Sequence, residues 1–114
     1  MKKFLKVMKA LSDKNRLKII KMLQHKEMLC VCEIQAGLGL AQSTVSKHLK
    51  LLEDAGLVIY IKEGLWVNYS LNYKPDNPYS ATILGNLKHW LEDEQEIIEL
   101  MKKLPELDRT YICN

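Results

Sequence analysis

The sequence predicts a mostly helical fold with one small β-hairpin, on three observations. Apolar residues recur at helical spacing up to Gly56, a run of β-branched and aromatic residues follows, and a second helical stripe closes the chain. Phe4, Val7, Met8 and Leu11 define a first helix. Ser12 then reads as the N-cap of a second, which carries Leu17, Ile20 and Leu23 on one side. A short third helix is expected after Cys30, stopping near Gly37 or Gly39, and a fourth over about 41–55, ended by Gly56. The hairpin covers about 57–71: Leu57 to Ile61, then Trp66 to Leu71, with Lys62, Glu63, Gly64 and Leu65 between them. Pro75 and Pro78 bracket a linker. Beyond it Ile83, Leu87, Trp90, Ile97, Met101 and Leu104 repeat in alternating steps of four and three, broken by Glu94 and widened by Leu84, Leu91 and Ile98. This predicts one long helix over about 79–104, with more apolar surface than a single neighbouring helix would cover.

With 114 residues, 47% of them hydrophobic, the chain reads as a single domain over 1–114, long enough for one core and too short for two. The formal charge of +3 favours an anionic partner without identifying it. No apolar run reaches the roughly 20 residues that span a bilayer, and the start Met1-Lys2-Lys3-Phe4 lacks the apolar core of a signal peptide. A cytoplasmic location with no membrane partner is expected. Three cysteines, an odd number, argue for reduced thiols over a disulfide framework. Catalysis is not expected: there is no Gly-rich phosphate loop and no nucleophile–base constellation, and His25 and His48 stand apart.

On a wheel of about 100° per residue, Val45, Leu49 and Leu52 of the fourth helix share a narrow sector, while Ser43, Thr44, Ser46, Lys47 and Lys50 fill the opposite one. One face packs and the other is free to read. A major groove admits a helix that carries short hydroxyls and cations, the first turns reaching base edges and the lysines reaching phosphates. A short helix, a Ser/Thr-rich amphipathic helix and a two-stranded ribbon follow in the order of a winged helix-turn-helix. The candidate DNA contacts are Gln42, Ser43, Thr44, Ser46, Lys47, His48, Lys50 and, at the hairpin tip, Lys62, beside which Glu63 would oppose close phosphate approach.

The run Ala41-Gln42-Ser43-Thr44-Val45-Ser46-Lys47-His48-Leu49, continuing to Val58, resembles the recognition helix of the arsenical-resistance repressor (ArsR/SmtB) family. The likeness extends from Leu11-Ser12-Asp13-Lys14-Asn15-Arg16-Leu17 through Gly64-Leu65-Trp66-Val67-Asn68-Tyr69 to the terminal stripe. It implies a homodimer joined by its first and last helices, which binds an inverted-repeat operator in double-stranded DNA and dissociates when an inducer binds. A symmetric dimer would bury the wide terminal stripe. No cofactor is implied for DNA binding itself.

Leu29-Cys30-Val31-Cys32-Glu33 resembles the metalloid-binding box of the arsenic-responsive branch, in which thiolates bind arsenic(III) or antimony(III). In a regular helix, residues two apart point about 200° from each other, so Cys30 and Cys32 would not grip one atom. In an extended segment they share a face about 7 Å apart. Binding is therefore expected to hold the start of the third helix unwound or to distort it. A helix N-terminus also favours thiolate over thiol, and soft thiolates select soft ions. Where some relatives carry a further cysteine just downstream, this chain has Gln35-Ala36. Trivalent arsenic prefers three sulfurs, which makes Cys113, on a polar tail after Pro105, the candidate third ligand. Two small buried hydrophobes and an idle terminal thiol are the bland alternatives for these cysteines.

A second family site, on the last helix, has an Asp-x-His and His-x-x-Glu pattern for zinc and related ions. Asp76, His89 and Glu92 fall at matching offsets here, but Pro78 stands where the first histidine belongs. Two rivals keep the fold and change the effector: a thiol redox sensor using the same cysteines, and a zinc- or cadmium-sensing repressor.

Overall fold

The computed structural model describes residues 1–108. Its elements run α1 (Lys2–Leu11), α2 (Lys14–His25), β1 (Leu29–Cys30), α3 (Val31–Leu38), α4 (Gln42–Asp54), β2 (Val58–Glu63), β3 (Trp66–Leu71), α5 (Pro78–Leu87) and α6 (Gln95–Lys103), then a 3-10 turn at Leu104–Glu106. Helix α2 lies at the centre: Ile19, Ile20, Met22 and Leu23 are fully buried, and α1, α3, α4 and α6 all pack against it.

The helix borders follow local chemistry, with one shift from expectation. Asp13, not Ser12, caps α2, its carboxylate accepting from the N–H groups of Asn15 (2.8 Å) and Arg16 (3.1 Å). The ionised side chain is the stronger acceptor for two orphan donors. Ser12 instead turns back, donating its hydroxyl to the Met8 carbonyl at 2.7 Å. Helix α3 ends at Gly39, in the left-handed region at φ 70°. Helix α4 ends in a Schellman turn: Gly56 takes φ +78°, its N–H bonds to Glu53 O and that of Leu57 to Leu52 O. Leu52 and Leu57, both fully buried, make the apolar contact that goes with this motif.

The hairpin has a third strand that the residue pattern did not announce. In the antiparallel order β1-β3-β2, Leu29 pairs with Tyr69 and Cys30 with Asn68. Two residues are too few to show a period of two, and they become a strand only by pairing. The register also moves the hairpin tip outward. Lys62 pairs with Val67 and Glu63 with Trp66, so the turn is Gly64-Leu65.

The predicted single helix over 79–104 is two helices. Asn77 caps the first through the N–H groups of Tyr79 and Ser80, with Pro78 in its first turn. Between α5 and α6 the chain leaves helical geometry, with Leu91 at φ 67°. The cause lies on α2, where the ammonium of Lys21, wholly buried, donates to Leu87 O (2.8 Å), Trp90 O (3.0 Å) and Glu92 Oε1 (3.0 Å). A buried ammonium needs all three donors satisfied, and freed carbonyls at a helix end supply two acceptors. The stripe is accordingly folded back on its own core: Leu84, Leu87, Ile97, Leu100 and Leu104 are buried, while Trp90, in the break, is 49% exposed. It does not stand as a wide face awaiting a partner.

Candidate nucleic-acid interface and thiol site

Helix α4 separates its two faces as the wheel predicts. Val45, Leu49 and Leu52 are fully buried, and Gln42, Ser43, Thr44, Ser46, Lys47 and Lys50 are exposed on one continuous side. The lysines differ. Lys50 lies 3.1 Å from Asp54 and 3.6 Å from Glu53, so its charge is shared with acids on its own helix, which hold its pKa above the ordinary value, Asp54 most strongly. Among the described residues Lys47 and Lys62 have no such partner, which makes them the better candidates for phosphate. Glu63 does not crowd Lys62. Strand alternation sends the two to opposite faces, and Glu63 accepts from Asn68 Nδ2 at 3.3 Å.

His48 is half-buried, with Nδ1 3.1 Å from Arg16 Nη1. Arg16, which residue patterning did not single out, also donates to Ala10 O (2.6 Å) and Lys9 O (3.2 Å). It thereby ties the end of α1 and the start of α2 to α4. Partial burial pushes the neighbouring Asp13 carboxyl up, but the Arg16 N–H, the charges of Arg16 and His48 and the Asn15 N–H together hold it below its ordinary value.

The two cysteines meet where β1 becomes α3. Cys30 is the last residue of the strand and the N-cap of the helix, at φ −83° and ψ 165°, and Cys32 is half-buried in the first turn. Their sulfurs are 3.1 Å apart; Cys30 is a free thiol while Cys32 is disulfide-bonded, so the reduced state expected from the odd cysteine count does not hold at Cys32. One extended residue is enough to bring them together, so α3 is intact from Val31 onward and the expected unwinding is not required. Glu33 closes a capping box, its carboxylate accepting from the Cys30 N–H at 2.9 Å while its own N–H faces the Cys30 sulfur. The Cys-x-x-Glu spacing carried that signal in the sequence.

The expected bias toward thiolate does not hold at Cys30, which is 1% exposed. Burial pushes its thiol up, outweighing the Glu33 N–H, and the Glu33 carboxylate acts in the same direction. Cys113 lies outside the described residues. Among the described residues no group of three or more His, Cys, Asp or Glu is placed to hold a metal ion. In particular, Asp76 lies near Lys3 (3.6 Å), Glu92 pairs with Lys21 and sits 3.9 Å from His25, and His89 falls in the α5–α6 break, so the zinc-type pattern has no helix to display it.

A family model described as "Bacterial regulatory protein, arsR family" matches residues 13–60, from the α2 cap into β2. Over 101 residues the chain is 32% identical to the "Arsenical resistance operon repressor" of Escherichia coli K12, across 88% of this chain and 83% of that protein. The chain belongs to the arsR family. It is therefore a transcriptional regulator, and the arsR-family proteins it resembles are regulators and not enzymes. A further relative is the "Cadmium resistance transcriptional regulatory protein CadC homolog" of Staphylococcus aureus, 45% identical over 67 residues, which cover 59% of this chain and 55% of that one. The fold is similar to the homodimeric winged helix-turn-helix DNA-binding domain of a possible ArsR-family transcriptional regulator from Mycobacterium bovis, at TM-score 0.64 and 26% identity over 76% of each chain. α3, α4 and β2–β3 follow one another in the order expected of a helix-turn-helix and its wing. No helix among the described residues is long and apolar enough to cross a membrane.

Proposed function

We propose that the chain is a cytoplasmic, homodimeric repressor that holds an inverted-repeat operator in double-stranded DNA and releases it when arsenic(III) or antimony(III) bonds to Cys30 and Cys32. The observation that carries this reading is the 3.1 Å separation of the two sulfurs at the entry to the helix-turn-helix. With bonds of about 2.3 Å, a typical metal–thiolate length, such a pair subtends roughly 85° at a shared atom, well short of the tetrahedral angle that zinc prefers. A pyramidal centre with a lone pair takes the narrower angle. Cys113 is the candidate third sulfur.

Protonation favours the same class of effector. Once a cellular thiol such as glutathione has reduced Cys32, arsenous acid condenses with two thiols, forming two As–S bonds, breaking two As–O and two S–H bonds, and releasing two waters with no proton lost to solvent. A divalent cation must displace those protons, which is harder at a buried thiol such as Cys30.

The DNA side rests on the exposed α4 face and the wing, with DNA binding itself needing no cofactor. In a two-fold dimer the two α4 helices would enter major-groove faces about 34 Å apart. Phe4 and Leu5 of α1 are 41% and 51% exposed, and Phe4 makes an edge contact with Tyr79 of α5. Beside them runs a groove of about 750 Å³ lined by Leu5, Ala10 and Leu51 with Lys2, Lys6, Lys9 and Arg16. These are the surfaces a second copy would cover.

The cadmium-named relative favours a second reading, in which the same thiols take a soft divalent cation. Anisotropy of a labelled operator, titrated with arsenite and separately with cadmium, tests both. The proposal expects arsenite to weaken binding on the order of 30- to 150-fold and the response to vanish in Cys30→Ser and Cys32→Ser. Release by arsenite that persists in both variants overturns the site. Release by cadmium alone selects the second reading.

A further inference from the structure

Cys30 offers two routes from the thiols to the DNA, one through α3 and the turn into α4 and one through the sheet. Cys30 belongs to β1 as well as to α3, and β1 is laddered to the wing. Directly opposite Cys30 on β3 stands Asn68, so their side chains emerge on the same face of the sheet with β-carbons about 5 Å apart. Both are buried, at 1% and 3% exposed. From the other side of β3, Asn68 faces Ile61 of β2 and donates its Nδ2 hydrogen to Glu63 Oε2 at 3.3 Å. Glu63 is the last residue of β2, adjoining Lys62 and the Gly64-Leu65 tip.

We infer that Asn68 is a positioning residue that couples the thiol site to the DNA-facing wing, so that effector binding displaces the wing as well as the reading helix. This deepens the proposed function and rests on it. Drawing the Cys30 sulfur onto a shared atom changes what Asn68 packs against, and a close-packed interior answers by moving the neighbour, not by opening a void. The carboxamide then carries the shift to Glu63, one residue from the cation assigned to phosphate. Spatial succession alone does not establish coupling, so the test measures coupling directly.

Arsenite binding is followed in full-length protein by the ultraviolet absorbance of As–S bonds, and operator affinity by anisotropy with and without saturating arsenite. The variants are Asn68→Ala, Glu63→Ala and Glu63→Gln. Because Asn68 is buried, Glu63→Ala, at the exposed end of the strand, breaks the same link without opening the core, and Glu63→Gln retains the acceptor. The inference expects all three to bind arsenite as the wild type does. It expects the ratio of operator affinities to fall at least 5-fold in Asn68→Ala and Glu63→Ala, within the range of allosteric couplings of about 5- to 150-fold, and to be kept in Glu63→Gln. If Glu63→Ala releases operator as fully as the wild type, the inference is overturned while the proposed function stands. If the wild type binds arsenite without releasing operator, or fails to bind it, the proposed function falls and takes the inference with it.

Discussion

Helix α4 and the α5–α6 segment meet the same core by different means. Helix α4 is held by Val45, Leu49 and Leu52, all fully buried, and its C-terminal carbonyls are satisfied by the turn that follows them. The α5–α6 segment is apolar too, but its course is set by one ammonium from another helix, Lys21, which takes up Leu87 O and Trp90 O. The first arrangement is redundant and local, whereas the break in the second is held by a long-range polar group, the Lys21 ammonium.

That contrast can be broken from either side. Leu49→Ala removes a fully buried side chain from α4 and is expected to cost about 3–5 kcal/mol of global stability, read by denaturant unfolding. Lys21→Met keeps the apolar bulk and removes the donors, leaving two carbonyls to find water, for a loss of about 1–3 kcal/mol. The two should also differ in reach. Amide exchange should accelerate throughout the molecule in Leu49→Ala, and first in the 88–94 segment in Lys21→Met. Equal acceleration everywhere in Lys21→Met would show that the break is not Lys21's doing.

The same contrast explains which parts of the molecule could be read from residues in order. The α4 faces, the Gly56 stop and the hairpin depend on neighbours within a few positions, and patterning found them, while for the end of α3 it left Gly37 and Gly39 both open. The α5–α6 break has no local mark. No Gly or Pro stands between Leu87 and Gln95, and Leu91 adopts its left-handed conformation because the segment is held from α2. Lys21 itself, in a run of apolar residues, reads as a solvated lysine. Strand β1 is invisible until Trp66–Leu71 lies beside it. At the candidate site the closeness of Cys30 and Cys32 was legible, and the resemblance to arsR-family sequences supplied the chemistry proposed for them. Their electrostatics were not, since the helix N-terminus is visible in a sequence but burial of the Cys30 sulfur is not.

A smaller effect follows from that burial. Because the Cys30 thiol is pushed up, its fraction as thiolate at neutral pH falls below that of a free cysteine. Alkylation at Cys30 by iodoacetamide, mapped by peptide mass spectrometry, should be slow at pH 7 and reach half its limiting rate above the 9.0 of an unperturbed thiol. A midpoint below that value would restore the thiolate expected from the helix N-terminus, and would remove the protonation argument against divalent cations.

The central claim is that the sulfurs converging at the head of α3 are the effector site. Arsenic-edge X-ray absorption on the arsenite-loaded wild-type protein addresses it most directly. The account predicts a first shell of three sulfurs, including Cys30 and Cys32, that reverts to oxygen in the Cys30→Ser/Cys32→Ser double variant. Two sulfurs would remove Cys113 from the site, and an oxygen shell in the wild type would contradict the account.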